Sequence, residues 1–397
     1  MPKFKPFRFS MAHTEFIPQV AVRSSDFSNN EELLVEMRNN PHSYLHLTKN
    51  DLLSDEYAHF SQEFFKNSKA YISHLIENEI ISRFEQDIFF VYRQTSNGTS
   101  HTGIIGLVDI LDYQKNKIKK HEHTRHVTEG FVMELLNHTK IIGDPLLLSH
   151  HHKQSLEDLL RWVISHPADI DYEKREKRHQ IWYIESENLV ETFRNEVETI
   201  QDFYIMDGHH RAAGVNNLYN QSESKKDRYC LAYLIDCNQL SISPFHRLVK
   251  QNKIMLPDLL EALSENFLVT EQPEYVFRPD GRGQMVLKTA EKTYMLTALN
   301  TLPNLDVQVI ENDILNDIFG ITNSRTDDRV DFIKDDEVSL NNALGCTKVD
   351  GNFLFLLHPC TFEEIADISD KNEIMPPKST YVEPKCPAGL FLQKYGQ

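Results

Sequence analysis

The chain has 397 residues, of which 40% are hydrophobic and 25% are charged, with 14 Gly and 16 Pro. At roughly 100–200 residues per domain this length predicts two or three domains, and the composition excludes a disordered, collagen-like or small disulfide-stapled protein. The formal net charge of −17 opposes broad binding of nucleic acid or anionic lipid, so a bound anion would need a local basic patch.

The sequence carries no signal for a membrane or for secretion. Its apolar runs, such as 103–111 and 353–357, are far shorter than the ~20 residues that a membrane-spanning helix needs. The start of the chain is basic but has no continuous apolar segment, so we expect a cytoplasmic protein without a membrane partner. The cysteines are odd in number and form no CxxC pair, which predicts reduced thiols at positions 230, 237, 346, 360 and 386.

The first part of the chain is predicted to be helical and to be followed by strands. Apolar residues repeat at intervals of three and four over residues 30–80, which predicts helices. From residue 87, two β-rich runs flank the pair Asn97-Gly98, a strong signal for a β-hairpin. Residues 1–85 are therefore predicted as a helical N-terminal part that packs on a core formed by residues 86–250.

Strands and helices alternate in the rest of the predicted core. The predicted strands are 145–149, 180–185, 203–206 and 228–237, and the predicted helices are 128–137, 155–164, 188–199 and one that continues through 219. The segment SPFHRLVK (243–250) is predicted to lead out of this core, with a domain boundary near residue 250.

Residues 251–397 are predicted as a second α+β unit with an extended tail. The predicted helices are 258–266, 307–319, 335–344 and 362–368, and the predicted strands are 284–287, 294–298 and 353–357. Prolines at 376, 377 and 384 exclude a helix in the tail. No repeat of 20–50 residues is visible.

The segment DFYIMDGHHRAA (202–213) predicts an anion site. An apolar strand ends at a turn that contains Gly208, and the helix that follows offers backbone N–H groups and partial positive charge. Arg211 would add two forked hydrogen bonds to phosphate oxygens. A carboxylate beside phosphate is unfavourable unless it binds Mg²⁺, accepts a proton or orients a histidine, so Asp207 indicates chemistry as well as binding. The alternative is that Asp207 is only the helix N-cap and the two histidines are surface residues.

The segment KNKIKKHEHTRH (115–126) is basic in an otherwise acidic protein. If the segment is extended, His121 and His123 point to one face, where they could bind a metal, and Glu122 points to the other. In a basic pocket Glu122 would stay ionised and could accept a proton from a hydroxyl nucleophile. The alternative is a solvated basic edge of a sheet.

A third histidine-rich segment, His150-His151-His152, lies where a predicted strand gives way to a helix. It fits either a surface loop or a ligand contact. The chain lacks GxxxxGK[ST], GxGxxG after a strand, HExxH and GxSxG, which excludes the commonest nucleotide, zinc-protease and serine-hydrolase motifs. A phosphate site must therefore use another loop.

Several segments together resemble the bacterial family called domain of unknown function 1015. They are KPFR, KIKKHEHT, DFYIMDGHHRAA, SPFHRLVK, VQVIENDILNDIFGI, TDDRVDFI and MPPKSTYVEPKCPAGLF. They span nearly the whole chain. The resemblance implies an α+β protein with a ParB/sulfiredoxin-like mixed-sheet core, a helical N-terminal part and a second C-terminal α+β unit.

Within that fold, the sequence is also similar to the free serine kinases, which transfer phosphate from a nucleotide to the hydroxyl of L-serine. KHEHT matches their PHE-like segment, which implies that Glu122 is the base, with Lys120 where a proline usually stands. DGHHR matches their phosphate-holding turn. Two departures are VRSSD (22–26) in place of a PPYD-like sequence and Ala212 in place of an aromatic residue after DGHHR. The first departure leaves the substrate open.

We therefore predict a phosphotransferase that moves phosphate between ATP or ADP and a small hydroxyl substrate, which the resemblance implies to be serine or phosphoserine. The predicted catalytic residues are Glu122, Asp207 and His210, and the predicted phosphate ligands are Lys120, Gly208, His209 and Arg211. Mg²⁺ would be held partly by Asp207. The alternatives are a phosphatase of a small phosphomonoester and a non-catalytic, nucleotide-responsive ParB-like binding module. No helix-turn-helix with a basic helix is visible, so nucleic acid is not an expected partner, and the oligomeric state stays open.

The tail residues 375–381 (MPPKSTY) are predicted to dock on the body of the protein near the active site. Lys378 would then add positive charge to the phosphate pocket, and Ser379 and Thr380 would donate hydrogen bonds. The alternative is a structural strap whose Tyr381 fills a surface groove.

Overall fold

A computed structural model shows the fold and describes residues 1–27, 29–54, 56–223, 228–250, 253–276, 278–299 and 305–395. The α-helices are α1 (Ile17–Val20), α2 (Asn30–Asn39), α3 (Leu45–Thr48), α4 (Gln62–Glu77), α5 (Ile110–Gln114), α6 (His126–Thr139), α7 (Gln154–Ile164), α8 (Glu187–Glu198), α9 (His209–Gln221), α10 (Leu256–Leu263), α11 (Asp306–Val309), α12 (Glu337–Thr347) and α13 (Phe362–Asp370). The strands are β1 (Phe4–Lys5), β2 (Ser10–Ala12), β3 (Ile81–Arg83), β4 (Phe89–Ser96), β5 (Thr99–Asp109), β6 (Ile118–Lys119), β7 (Ile141–Ile142), β8 (Leu146–His150), β9 (Ile170–Lys174), β10 (Lys177–Ile184), β11 (Phe203–Asp207), β12 (Tyr229–Asp236), β13 (Ser241–Val249), β14 (Phe267–Gln272), β15 (Gln284–Lys288), β16 (Thr293–Ala298), β17 (Val330–Lys334), β18 (Phe353–Leu357), β19 (Thr380–Glu383) and β20 (Gln393–Lys394). Within these ranges, no helix is long and apolar enough to cross a membrane.

The chain forms two compact units. The first contains Met1–Lys120, Thr124–Leu240 and Pro384–Gln397, and the second contains His121–His123 and Ser241–Glu383. The second unit is thus inserted, in sequence, between two parts of the first. The predicted division into a helical part (1–85) packed on a core (86–250) and a C-terminal α+β domain (251–397) stays a prediction.

The largest sheet of the first unit is mixed. Its described strands have the order β6-β11-β8-β12-β5-β4-β10-β9, and β1 also pairs with β5. β12 lies in the middle, parallel to β8 and antiparallel to β5. Almost every residue of β12 is buried, which explains its continuous apolar sequence. The mixed α and β content confirms the predicted α+β class, while the ParB/sulfiredoxin-like assignment stays a prediction.

The predicted hairpin is formed by β4 and β5. Asn97 and Gly98 lie between the strands with φ of 51° and 77°. Positive φ at both central residues is the pattern of the hairpin turn that Asn-Gly favours. The two strands then pair in register from Ser96 and Thr99 inward, so this local signal fixes the pairing of two central strands.

The predicted N-terminal helices are confirmed as α2 and α4. Asn29 caps α2 by accepting a hydrogen bond from the Glu32 N–H, and Ser61 caps α4 in the same way through the Phe64 N–H. Residues 1–85 also contain β1, β2 and β3, which the sequence analysis did not predict. Strands of two or three residues are too short for a visible alternation pattern.

The second unit has its own sheet. Its described strands have the order β14-β16-β15-β18-β13-β17, and β19 also pairs with β13. The segment SPFHRLVK was predicted to lead out of the core, and most of it lies in β13, whose residues belong to the second unit. The sequence analysis did not predict this strand, and Pro244 and Arg247 are unusual residues for a strand that is mostly buried. Arg247 is nevertheless fully buried and donates hydrogen bonds to the carbonyl oxygens of Phe245, Pro377 and Lys378.

The extended tail is divided between the two units. Residues 380–383 form β19 on β13, and the Lys378 ammonium lies 5.2 Å from the centre of the Phe245 ring, all within the second unit. Residues from Pro384 onward belong to the first unit, where β20 pairs with β7. The predicted role of Lys378 at a phosphate pocket stays a prediction. The tail lysine that the structure places beside the DGHHR turn is Lys385.

Candidate functional site

The strand, turn and helix predicted around DGHHR are present in the first unit. β11 ends at Asp207, Gly208 is the N-cap residue of α9 with φ of 100°, and α9 begins at His209. The first intrahelical hydrogen bond runs from the Ala212 N–H to the Gly208 carbonyl, so the N–H groups of residues 209–211 precede the helical ladder. A Cβ at position 208 would lie 2.9 Å from the Arg211 guanidinium. Glycine is therefore required both for the backbone angle and for the close approach of Arg211.

Arg211 is held by groups on both sides of the turn. One NH group donates to Asp144 Oδ1 and to the Pro145 carbonyl oxygen, each at 2.5 Å, and the other donates to Asp207. These three hydrogen bonds use three of the five guanidinium N–H donors. The predicted phosphate ligand is thus already oriented by two carboxylates and keeps two donors for a bound anion.

Asp207 lies between two cations. Its Oδ2 accepts from Arg211, and its Oδ1 accepts from Lys385 at 2.5 Å. Loss of water around the carboxylate would raise its pKa, but the charges of Arg211 and Lys385 outweigh this effect and lower the pKa to about 2. Asp207 is therefore ionised at neutral pH, and its predicted catalytic role stays a prediction.

We expect the Asp207 ion pairs to make stability depend on pH. Because the folded-state pKa of about 2 lies below the ordinary value of 3.8, the carboxylate contributes stability above about pH 4 and loses it as the pH falls toward 2. Asp207→Asn should lower the free energy of unfolding by about 2 kcal/mol at pH 7, and by about half of that at pH 3. Urea denaturation of both proteins at the two pH values measures this difference.

The matched control is Asp158→Asn, which removes an exposed carboxylate 3.9 Å from Arg161 and should change stability by less than about 0.5 kcal/mol at either pH. A difference for Asp207→Asn that does not depend on pH would contradict the expectation.

Two neighbouring cavities meet at Arg211. The charged cavity, of about 150 Å³, is lined by the cations Arg23, Arg211 and Lys385 and by the carboxylates Asp144 and Asp207. Three cations against two carboxylates leave this cavity with an excess of positive charge in a strongly acidic chain. It therefore suits a small anion.

The apolar cavity, of about 230 Å³, adjoins the charged one. Asp144 and Arg211 line both cavities, and the remaining wall is mostly apolar, including Phe131 and Leu135 of α6. The ring of His59 lies on Phe131, with centroids 4.6 Å apart and planes 27° apart. An apolar cavity with aromatic rings beside a charged one suits a ligand that has a flat apolar part and an anionic part.

The other predicted residues of the DGHHR segment have different surroundings. Gly208, His209 and His210 line neither cavity. His209 is buried, and His210 Nε2 accepts a hydrogen bond from the Arg125 backbone N–H at 3.1 Å. His210 therefore holds the residue that precedes α6, and its predicted catalytic role stays a prediction.

Only His121, Glu122 and His123 of the basic segment belong to the second unit, whereas Lys120 and the rest of the segment belong to the first. The Lys120 ammonium lies 5.5 Å from the centre of the Tyr113 ring. In the second unit, Glu122 Oε1 lies 3.5 Å from an Arg325 guanidinium nitrogen, which favours the ionised carboxylate that a base requires. His121 is buried, and burial lowers its pKa to about 4, whereas His123 is exposed. His121 is therefore neutral at pH 7.

The predicted Mg²⁺ role of Asp207 does not fit its surroundings. Both carboxylate oxygens are already bonded to cations. Across the described ranges, no group of three or more His, Cys, Asp or Glu side chains is placed to hold a metal ion. This also applies to the metal role considered for His121 and His123, so we derive no step through a metal.

Three residues of this site were missed by the sequence analysis. Asp144 precedes a predicted strand, Lys385 lies in the tail, and Arg23 replaces part of a PPYD-like sequence. The signal available was weak, since each is a single charged residue far from DGHHR along the chain. The structure brings all three to the charged cavity.

Several solved structures match part of this chain. SbnI with a C-terminal truncation, from Staphylococcus aureus, is 13% identical with a TM-score of 0.41, and the match covers 72% of this chain and 85% of SbnI. A mutant free serine kinase in complex with AMP is 15% identical with a TM-score of 0.40, over 73% of this chain and 90% of the kinase. A conserved hypothetical protein from Pyrococcus furiosus is 14% identical with a TM-score of 0.36, over 71% and 92% of the two chains. Similarities at this level assign no function.

The sequence comparisons identify the family. No curated protein is significantly similar to the chain. The family described as protein of unknown function (DUF1015) matches residues 4–312, well over half of the sequence, and this confirms the resemblance that the motifs indicated. The chain belongs to the DUF1015 family.

Proposed function

We propose that the protein is a phosphotransferase that moves phosphate between a nucleotide and a small hydroxyl compound. The observation that carries the proposal is the charged cavity, where Arg23, Arg211 and Lys385 meet beside the start of α9. The excess positive charge of this cavity favours a phosphate group, and the two remaining donors of Arg211 suit its oxygens. The adjoining apolar cavity would hold the base of the nucleotide.

The residues of the first unit would act mainly by binding and by charge neutralisation. In phosphoryl transfer, negative charge spreads over the peripheral oxygens of the moving group while the bond to the leaving phosphate breaks. Arg211 and Lys385 are the cations that would stabilise this charge. Asp207 and Asp144 would keep Arg211 in place, so that its position needs no rearrangement when the nucleotide binds.

Glu122 is the proposed proton acceptor for the hydroxyl compound. The hydroxyl oxygen forms a bond to phosphorus, the bond from phosphorus to the nucleotide oxygen breaks, and the hydroxyl proton passes to the Glu122 carboxylate. This role rests on the similarity of KHEHT to the free serine kinases, and Glu122 Oε1 lies 3.5 Å from an Arg325 guanidinium nitrogen. Serine is the favoured acceptor on the same similarity.

The direct test is a transfer assay. The protein is incubated with Mg²⁺ and ATP or ADP and with serine, threonine or homoserine, and the products are identified by mass spectrometry. We expect phosphoserine together with the nucleotide that has lost one phosphate. Phosphate release from phosphoserine without any nucleotide would instead indicate a phosphatase, and tight nucleotide binding without transfer would indicate a binding module. Either result would contradict the proposal.

Gly208→Ala tests whether the DGHHR turn itself contributes to nucleotide binding. Alanine at φ of 100° strains the backbone, and its Cβ would approach the Arg211 guanidinium to 2.9 Å. We expect nucleotide affinity to fall at least tenfold and the free energy of unfolding to fall by about 1–3 kcal/mol. The measurements are calorimetric titration with ADP and urea denaturation.

Gly98→Ala is the matched control for this variant. Gly98 also has positive φ, but no atom lies within 4 Å of an added Cβ. The Gly98→Ala variant should therefore lose stability through backbone strain alone, and it should bind ADP as the unmodified protein does. Equal loss of ADP affinity in both variants would mean that Gly208 has no local role in binding.

A further inference from the structure

Three segments that the sequence analysis singled out meet within the second unit. Arg247 belongs to SPFHRLVK, the tail loop (residues 375–379) belongs to MPPKSTYVEPK, and Glu122 belongs to KIKKHEHT. All of these residues lie within His121–His123 and Ser241–Glu383. Hydrogen bonds link them in one series, which runs from Arg247 through the tail loop to the residue before Glu122.

The tail loop needs hydrogen-bond donors from side chains. Pro376 and Pro377 have no N–H group, and Lys378 has φ of 52°, in the left-handed region. Carbonyl groups that leave water on folding need donors in the protein. The Ser379 hydroxyl donates to the Pro376 carbonyl oxygen at 2.7 Å. The carbonyl groups of Pro377 and Lys378 accept from Arg247 instead.

Arg247 supplies these donors from the interior of the second unit. It is fully buried, and one of its guanidinium nitrogens donates to the carbonyl oxygens of Phe245 at 2.7 Å and Lys378 at 3.2 Å. The other terminal nitrogen donates to the Pro377 carbonyl oxygen at 3.1 Å. Burial lowers the pKa of Arg247 to about 10, so the guanidinium stays charged at pH 7. An apolar side chain would avoid the cost of a buried charge, but it could not bind three carbonyl groups.

The start of the tail loop contacts the segment of Glu122. The Met375 N–H donates to the His121 carbonyl oxygen at 2.8 Å, and both residues are 3% exposed. This carbonyl belongs to the peptide bond that joins His121 to Glu122. Because a peptide group is planar, a bond that fixes its carbonyl also fixes the direction in which the Glu122 main chain begins.

The Glu122 carboxylate is held by a different set of residues. Its Oε1 lies 3.5 Å from an Arg325 guanidinium nitrogen. Arg325 follows Ser324, which is 1% exposed and whose hydroxyl donates to the Glu311 carboxylate. Loss of the Arg247 contacts would therefore leave these side-chain contacts in place and release the main chain at Glu122.

We propose that Arg247 is a positioning residue for Glu122. Arg247 holds the tail loop by its carbonyl groups, and the tail loop holds the peptide bond between His121 and Glu122. The proposal rests on the proposed function, in which Glu122 accepts the proton of the hydroxyl compound. A proton acceptor must lie within hydrogen-bond reach of that proton, and a displacement of about 1 Å can lower the rate by about 10²-fold. Arg247 itself is fully buried and acts only through the tail loop.

The first test is hydrogen exchange of the unmodified full chain, followed by mass spectrometry. Pro376 and Pro377 carry no amide hydrogen, so Met375 is one of the few amides that a peptide starting at residue 373 reports. We expect the Met375 amide to exchange at least a hundredfold more slowly than in an unstructured peptide. Exchange at the unstructured rate would show that the bond to His121 does not persist in solution. That result would overturn the proposal without any variant, whether or not the protein transfers phosphate.

The second test is Arg247→Lys, which keeps a positive charge but loses the planar fork of donors. We expect turnover to fall at least tenfold, the Met375 amide to exchange at least tenfold faster, and ADP affinity to change less than twofold. In the Glu122→Gln background, Arg247→Lys should lower turnover no further, because the group that it positions is already lost. A merely structural role would lower turnover by the same factor in both backgrounds, and this result would overturn the proposal. Thermal unfolding checks that each variant is folded.

A second variant and a control complete the test. Met375→Pro removes the N–H that bonds to His121 and leaves Arg247 in place, so it should lower turnover as Arg247→Lys does, and it replaces that variant if Arg247→Lys does not fold. The matched control is Arg278→Ala, which removes an arginine of the same unit that donates to Asp335 at 2.9 Å. It should keep the turnover and the Met375 exchange rate of the unmodified protein. No phosphoserine from the unmodified protein would contradict the proposed function, whereas normal turnover in a folded Arg247→Lys or Met375→Pro would overturn this proposal alone.

Discussion

Glu122→Gln is expected to lower turnover by about 10²–10⁴-fold while leaving nucleotide affinity nearly unchanged. The amide keeps the shape of the side chain but cannot accept the proton of the hydroxyl compound, and general base catalysis contributes about this factor. The ion pair with Arg325 is also lost, but it spans 3.5 Å between partly exposed groups, so its removal should cost little stability. Turnover is measured as phosphoserine formed per unit time, and affinity by titration with ADP.

The control for Glu122→Gln is Glu363→Gln, which changes an exposed glutamate in the first turn of α13 of the same unit. This variant should keep both turnover and affinity. If Glu122→Gln turns over at the normal rate, another group takes the proton and the assignment of Glu122 is wrong. If the affinity for ADP fell as much as the turnover, Glu122 would instead have a binding role.

Arg211→Ala is expected to weaken the fold and nucleotide binding together. The guanidinium neutralises Asp207 and Asp144, and its loss leaves Asp144 without its cation and Asp207 with Lys385 alone. Breaking a buried pair costs about 3–5 kcal/mol, and these groups are partly exposed, so we expect the free energy of unfolding to fall by about 2–3 kcal/mol. Nucleotide affinity should fall at least tenfold, because the forked contact to phosphate is lost.

A double variant separates the two effects of Arg211→Ala. Adding Asp144→Asn removes the carboxylate that Arg211 neutralised, so stability should partly return. Nucleotide affinity should stay low, because the arginine is still missing. Recovery of affinity together with stability would show that Arg211 acts only by supporting the fold, and it would remove Arg211 from the proposed phosphate site.

The sequence predicted local structure well where the signal was local. The hairpin at Asn97-Gly98 and the strand, turn and helix around Gly208 follow from backbone preferences within a few residues. The strand β13 was missed, and Pro244 and the buried Arg247 contradict the usual composition of a strand. The buried Arg247 donates hydrogen bonds to carbonyl groups of the tail, which lie more than 120 positions away in sequence. No local sequence pattern contains this information.

Contacts between residues that are distant in sequence also limited the prediction of the candidate site. The motif DGHHR indicated an anion site and named Asp207 and Arg211, both of which line the charged cavity. It could not indicate that Asp144 and Lys385 would bind these two residues, since ion pairs between distant segments depend on the tertiary fold. Lys378 was chosen as the tail cation because it lies in the more distinctive motif, whereas the structure places Lys385 at Asp207.

The late position of Lys385 in the chain has a consequence for biosynthesis. The segment that carries it also contributes Phe391, whose ring packs 5.3 Å from that of Phe90 and 6.2 Å from that of Phe9. The ribosome makes all of the second unit before it makes this segment. While the second unit is being made, the nascent first unit therefore lacks Phe391 against Phe9 and Phe90. Its charged cavity also lacks Lys385. We expect such a chain to be most prone to aggregation during translation, before residues 384–395 emerge from the ribosome.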